Sequence, residues 1–133
     1  IQARGANEKL TIGLIGSGNR GRTIASECVK AGHRIAATAD CAKFRLDWIN
    51  EQLAKAGQSE KPTAYTDYRK LLDHKGLDAV IVATPDHHHK EQLLAAMSAG
   101  LHAYCEKPLS HTVEQGKEMV AAVRKAKKVV QVG

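Results

Sequence analysis

An α/β fold is predicted, a doubly wound parallel sheet held between two layers of helices. Three observations predict it. Strand-like and helix-like segments alternate from residue 10 onward, and parallel strands need crossovers long enough to be helices. The strongest strand segments are short apolar, β-branched runs, as strands buried on both faces are. No internal repeat, low-complexity stretch or linker interrupts the order β-α-β-α-β-α-β-α-β-α-β, whose sixth strand completes a doubly wound domain.

Each element has its own signal. Residues 10–15 (LTIGLI) form the first strand. The first helix, residues 20–31, carries Ile24, Ala25, Cys28 and Val29 on one face and stops at Gly32. Residues 34–39 (RIAATA) give a second strand. Residues 42–56 give a second helix with Leu46, Ile49 and Leu53 on its buried side, Phe44 and Trp48 on an adjoining stripe, and Gly57 closing it. Residues 63–65 are a weak third strand, and Asp67 caps a short helix ending near Leu72. Residues 78–83 (DAVIVA) are a fourth strand. Pro85 stands at the start of a fourth helix buried through Leu93, Leu94 and Met97 and stopped by Gly100. Residues 101–105 are a fifth strand, Ser110 caps a last helix with a stripe of Val113, Gly116, Val120 and Val123, and residues 129–132 are the sixth strand.

A chain of 133 residues suits one domain, and one of that size buries roughly two-thirds of its unfolded surface, enough for a core without staples. The polar residues 1–9 read as a flexible leader or a processed terminus. The net charge is +6, but Lys and Arg are scattered, and the densest group, Arg124, Lys125, Lys127 and Lys128, ends a predicted helix, where cations suit the macrodipole. With 4% aromatics, none interleaved with a basic stretch, there is no stacking platform for single strands, so no nucleic-acid partner is expected. No apolar run approaches the roughly 20 residues of a membrane span, and no membrane association is expected. Cys28, Cys41 and Cys105 are odd in number and lack CxxC spacing, which points to free thiols rather than a disulfide framework or zinc site.

The first strand runs into Gly16-Ser17-Gly18-Asn19-Arg20-Gly21. A GxGxxG between a strand and a helix is the fingerprint of a Rossmann dinucleotide site. Gly16 permits the tight turn, Gly18 lets backbone approach a pyrophosphate, and Gly21 lets helix pack on strand. The helix N-terminus offers free N–H groups to phosphate. A glycine turn that binds nothing is the bland alternative; a P-loop lacks its Gly-Lys-Ser/Thr. Asp40, at the end of the second strand, stands where a carboxylate accepts hydrogen bonds from the adenine ribose and repels a 2′-phosphate. NAD is therefore favoured, while Lys43 and Arg45 keep NADP open, and a plain helix cap is the alternative role for Asp40.

Two further polar segments follow strands, at the edge where open α/β sheets bind ligands: Ala83-Thr84-Pro85-Asp86-His87-His88-His89 after the fourth, and Glu106-Lys107-Pro108 after the fifth. Three consecutive histidines at a helix start point in different directions and do not converge on one ion, so no metal is expected. One or two of them, His87 and His89, are expected on the cofactor cleft.

With IGLIGSGNRG, ATPDHHH and CEKPL at these intervals, the chain from about residue 9 to 133 resembles the Gfo/Idh/MocA oxidoreductases, named for glucose–fructose oxidoreductase and inositol dehydrogenase. The resemblance implies that Thr84, Pro85 and His89 line the cofactor cleft. It implies that Glu106 and Lys107 sit beside the nicotinamide, with Lys107 reaching a substrate oxygen and the bond before Pro108 in cis. It further implies an NAD(P)-dependent enzyme acting on a sugar, polyol or related hydroxylated compound, and a C-terminal α/β domain that binds substrate, absent from these residues. A homo-oligomer is implied for the full-length protein. Family members are found both in the cytoplasm and exported already folded, and either location fits. Two other functions stay open: a glycosidase or lyase that uses transient redox with tightly held cofactor, and a non-catalytic NAD-binding sensor module.

Overall fold

Thr11–Ile15 form β1, a strand buried on both faces, at the centre of a computed structural model. The structure describes residues 8–133, so the leader expected at 1–9 lies almost wholly outside them. The remaining elements are α1 (Asn19–Lys30), β2 (Arg34–Ala39), α2 (Lys43–Ala56), β3 (Thr63–Tyr65), α3 (Tyr68–Leu72), β4 (Ala79–Val82), α4 (His89–Ser98), β5 (His102–Cys105), α5 (Val113–Ala126) and β6 (Val130–Val132). The six strands pair in parallel in the order β3-β2-β1-β4-β5-β6. This is the predicted doubly wound sheet. Its direction of winding reverses between β1 and β4, so the loops after those strands diverge and leave a crevice at their C-terminal ends.

Two apolar layers fix the helices to the sheet. On one face Leu14, Ile35 and Ile81 pack against Ala25 of α1 and Ile49 and Leu53 of α2. On the other, Ile15, Val80, Val82 and Cys105 meet Leu71 of α3, Leu93 and Met97 of α4 and Met119 of α5. The stripes expected on α1, α2 and α4 are thus the ones buried. Phe44 and Trp48 stay exposed, edge to face at 4.9 Å, with Arg22 over the Trp48 ring and Arg45 over Phe44. Asp67 caps α3, accepting from the Arg69 N–H at 2.9 Å.

Three expectations about the helices are corrected. Thr112 rather than Ser110 caps α5: its hydroxyl accepts from the Gln115 N–H at 3.2 Å while the Gln115 side chain accepts from the His111 N–H at 3.0 Å. That reciprocal Thr-x-x-Gln arrangement satisfies two orphan donors, which Ser110 alone does not. The predicted stripe of α5 is also turned. Val113 and Val120 are 69% and 45% exposed, and the packed side is Met119, Ala122, Val123 and Ala126. This helix packs chiefly along α4, and Val113 and Val120 lie off that packed face. Finally, α4 does not begin at Pro85. Pro85 is extended, residues Asp86–His88 form one 3₁₀ turn, and the α-helix starts at His89; this extra turn aims His89 inward.

Candidate cofactor-binding site

The C-terminal ends of β1, β2, β4 and β5 are laced together before any side chain contributes. Gly16 N–H donates to the Ala39 carbonyl, Ala83 N–H to Ile15, and Glu106 N–H to Val82, each at 2.9 Å. The glycine loop therefore rests on the turn after β4. Gly16 has φ +93°, and a Cβ there would lie 2.8 Å from the Ala83 carbonyl and the Thr84 nitrogen. A Cβ on Gly21 would overlap the Gly16 carbonyl oxygen. Gly18 differs. The nearest atom to its imaginary Cβ is Arg45 Nη1, at 4.0 Å, so the space above it is open to a ligand. Gly18 is also the N-cap of α1, no side chain caps that helix, and its first turn holds no acid. Free N–H groups, an open glycine face and the positive end of a helix dipole fit a pyrophosphate.

Asp40 is 8% exposed. One carboxylate oxygen accepts from the Ser17 N–H and the other from the Ala42 N–H, both at 2.8 Å. The alternative of a plain helix cap is thus half right: Ala42, not Asp40, is the N-cap of α2, and Asp40 staples the glycine loop to the end of β2. Each carboxylate oxygen keeps a further lone pair, and Asp40 lines a cleft of about 420 Å³. Arg45 approaches the same carboxylate at 3.8 Å.

That cleft runs from the glycine loop past Asp40 to the turn after β4. Gly16, Gly18, Thr84 and Pro85 form its walls together with His88. The Thr84 hydroxyl donates to Gln92 at 2.6 Å. His87 is exposed beside Asp86, its ring tilted at 45° against His88 with centroids 4.1 Å apart. His89 is buried, with Nδ1 2.8 Å from the Pro108 carbonyl and Nε2 3.0 Å from the Thr84 carbonyl. Ser17 is buried, and Asn19 accepts from Arg22 at 2.6 Å. Among the described residues no three His, Cys, Asp or Glu side chains gather as metal ligands would.

The loop after β5 is drawn to the same edge. Arg20, in the first turn of α1, meets Glu106 through Nε at 2.6 Å. The Tyr104 hydroxyl donates to the same carboxylate at 3.0 Å and the Lys107 N–H at 3.2 Å. Lys107 itself is exposed and the Lys107–Pro108 bond is cis. Burial by itself pushes the Glu106 carboxyl up, but Arg20, Tyr104 and the Lys107 N–H outweigh it and hold the group below the usual carboxylate range. A depressed carboxyl stabilises the fold above its unfolded value of about 4.3, and that contribution is lost as pH falls through the folded value. Arg20→Met is accordingly expected to melt below the parent at pH 7, with the gap closing as pH is lowered from about 5 toward 3. A gap that stayed constant across that range would mean the pair adds no stability.

Sequence reasoning missed several cleft residues. The segment Thr66-Asp67-Tyr68-Arg69, after β3, and Cys41 line the cleft beside Asp40. The available signal was position, since every loop at this edge follows a strand. Cys105, by contrast, is buried, and burial pushes its thiol up to about 12.

A family model described as "Oxidoreductase family, NAD-binding Rossmann fold" matches residues 10–133. Inositol 2-dehydrogenase of Paracoccus denitrificans (strain Pd 1222) is 34% identical over 127 residues, 93% of this chain and 36% of that protein. Glycosyl hydrolase family 109 protein 1 of Shewanella sp. (strain ANA-3) is 32% identical over 126 residues, 91% of this chain and 27% of that protein. The crystal structure of myo-inositol 2-dehydrogenase from Lactobacillus plantarum superposes with a TM-score of 0.83 at 28% identity, covering 95% of this chain and 36% of that one. The chain thus spans about a third of the length of such relatives. It belongs to the Gfo/Idh/MocA oxidoreductase family, as an NAD-binding Rossmann domain.

Proposed function

We propose that this chain holds NAD for an enzyme that oxidises or reduces a sugar, polyol or related hydroxylated compound, the substrate being bound largely by polypeptide outside these residues. One observation carries the proposal: the Arg20–Glu106 pair joins the first turn of the pyrophosphate cradle to the loop bearing Lys107. The cofactor-binding and substrate-facing groups are thereby neighbours. Bound NAD supplies a carbon that accepts or returns hydride. The chain's own residues do the rest. Gly18 and the α1 N–H groups receive the pyrophosphate, Asp40 accepts from the adenine ribose, and Thr84 and Pro85 wall the cleft. The Lys107 ammonium stabilises charge on the substrate oxygen as the carbon–oxygen bond changes order. The relatives' greater length supports further polypeptide that binds the substrate.

The test begins with calorimetric titration of the chain with NAD and NADP. NAD is expected to bind roughly tenfold or more tightly than NADP, because a 2′-phosphate would lie against the Asp40 carboxylate. Asp40→Asn should narrow that ratio. Equal affinities in the parent would remove Asp40 from cofactor choice. The full polypeptide is then assayed for NAD-linked turnover of a polyol panel that includes myo-inositol. The glycosyl hydrolase relative favours a second reading, redox-assisted cleavage of a glycoside. That reading predicts release of the sugar substituent without net formation of NADH.

A further inference from the structure

We propose that His89 is a positioning residue for Lys107: its buried ring clasps the Thr84 carbonyl, on the cofactor wall, to the Pro108 carbonyl, one residue beyond Lys107. This rests on the substrate-side role given to Lys107 above. The ring is 1% exposed, and its two nitrogens lie 3.0 Å from the Thr84 oxygen and 2.8 Å from the Pro108 oxygen. Both oxygens can only accept, so holding the two loops together takes an N–H on each ring nitrogen, whereas a ring with a single N–H holds one of them. A histidine that merely filled the core as the neutral ring would meet one acceptor and one donor; here both ring nitrogens face carbonyl oxygens, one on each of the two ligand loops. The same turn of α4 also fixes the Thr84 side chain, whose hydroxyl donates to Gln92 at 2.6 Å.

Nothing else buried joins Pro108 to the cofactor side among the described residues. At the rim, His111 Nε2 lies 3.0 Å from Asp86 and spans the same two loops, with both side chains more than 40% exposed. His89 is the water-excluded clasp of the two, where a hydrogen bond is strongest and a missing donor is most costly. Holding the Pro108 carbonyl fixes the backbone that aims the Lys107 stem, and a misplacement of about 1 Å can cost on the order of a hundredfold in rate.

Two measurements test it. In nuclear magnetic resonance of this chain, both His89 ring N–H protons should be observed and protected from exchange, and in His89→Phe the Lys107 and His111 amides should exchange roughly tenfold or more faster while β1 amides do not change. His89→Gln, which keeps an N–H donor, should restore part of that protection. In the full polypeptide, His89→Phe should lower kcat roughly tenfold to a hundredfold, yet add nothing further in a Lys107→Ala background, because it acts only through that lysine. An unprotected ring proton overturns the clasp even where a variant does not fold. Additive losses in the double variant overturn the positioning role. Should Lys107→Ala alone leave turnover unchanged, the reading of Lys107 fails instead, and the ring-proton result still stands or falls by itself.

Discussion

Gly21→Ala is expected to cost the domain both its fold stability and its cofactor, whereas Gly18→Ala costs chiefly the cofactor. The two residues stand three apart in one loop and look equivalent as sequence. Their surroundings are not. A methyl on Gly21 would overlap the Gly16 carbonyl oxygen and sit 3.3 Å from Leu14 Cδ1. The oxygen belongs to backbone pinned by the Gly16–Ala39 hydrogen bond, so neither partner can yield. Overpacking at a rigid site costs about 3 kcal/mol, against a gain of about 0.5–1 kcal/mol from replacing glycine inside a helix. At about 3–6 °C per kcal/mol for a chain of this size, the melting temperature should fall by roughly 10 °C. Gly18 has open space where its Cβ would be, and loses only about 1 kcal/mol as an N-cap. Its methyl instead occupies the approach of the pyrophosphate, so NAD affinity should drop at least about tenfold. Thermal melting with and without NAD separates the cases. If Gly18→Ala bound NAD like the parent, the cradle would lie elsewhere.

Lys107→Ala should leave the fold intact and lower turnover of the full polypeptide by about a hundredfold to a thousandfold. Lys107 is exposed, and surface changes of this kind stay within about 0.5 kcal/mol. An ammonium placed where charge develops on oxygen, in a site closed to water, has an effect of about 3–4 kcal/mol on the barrier. Lys107→Arg discriminates further. It keeps the charge but does not release a proton, so recovery of the rate would assign Lys107 an electrostatic part only. Turnover unchanged in Lys107→Ala would take the lysine out of the chemistry.

The strands and their helices were legible because each carries its pattern alone. Residues 34–39 and 63–65 are strands to the residue, and Leu46, Ile49 and Leu53 are buried as their spacing requires. What was not legible depended on contacts between segments far apart. Whether Val113 or Ala122 faces inward is decided by how α5 packs along α4, not by hydrophobicity along α5. The shift of the cap from Ser110 to Thr112 follows from Gln115, a partner identified only when the turn is built. In the site, the glycine loop and Asp40 could be named from spacing, and Glu106 and Lys107 from the family resemblance. That Arg20 holds Glu106, that Asp40 holds Ser17, and that His89 faces two carbonyls all involve separations of 5 to 86 residues, which no periodicity encodes.

The bond from Ser17 N–H to Asp40 has a consequence for redesign of cofactor preference. The carboxylate that would tell NAD from NADP is also the anchor of the phosphate loop. Exchanging it for a neutral or basic residue to admit NADP removes an acceptor from a buried backbone donor in the same stroke, and weakens the grip on either dinucleotide. A switch of preference at this site is therefore better sought at Arg45, which lines the cleft 3.8 Å from Asp40 and accepts no hydrogen bond from the loop's N–H groups.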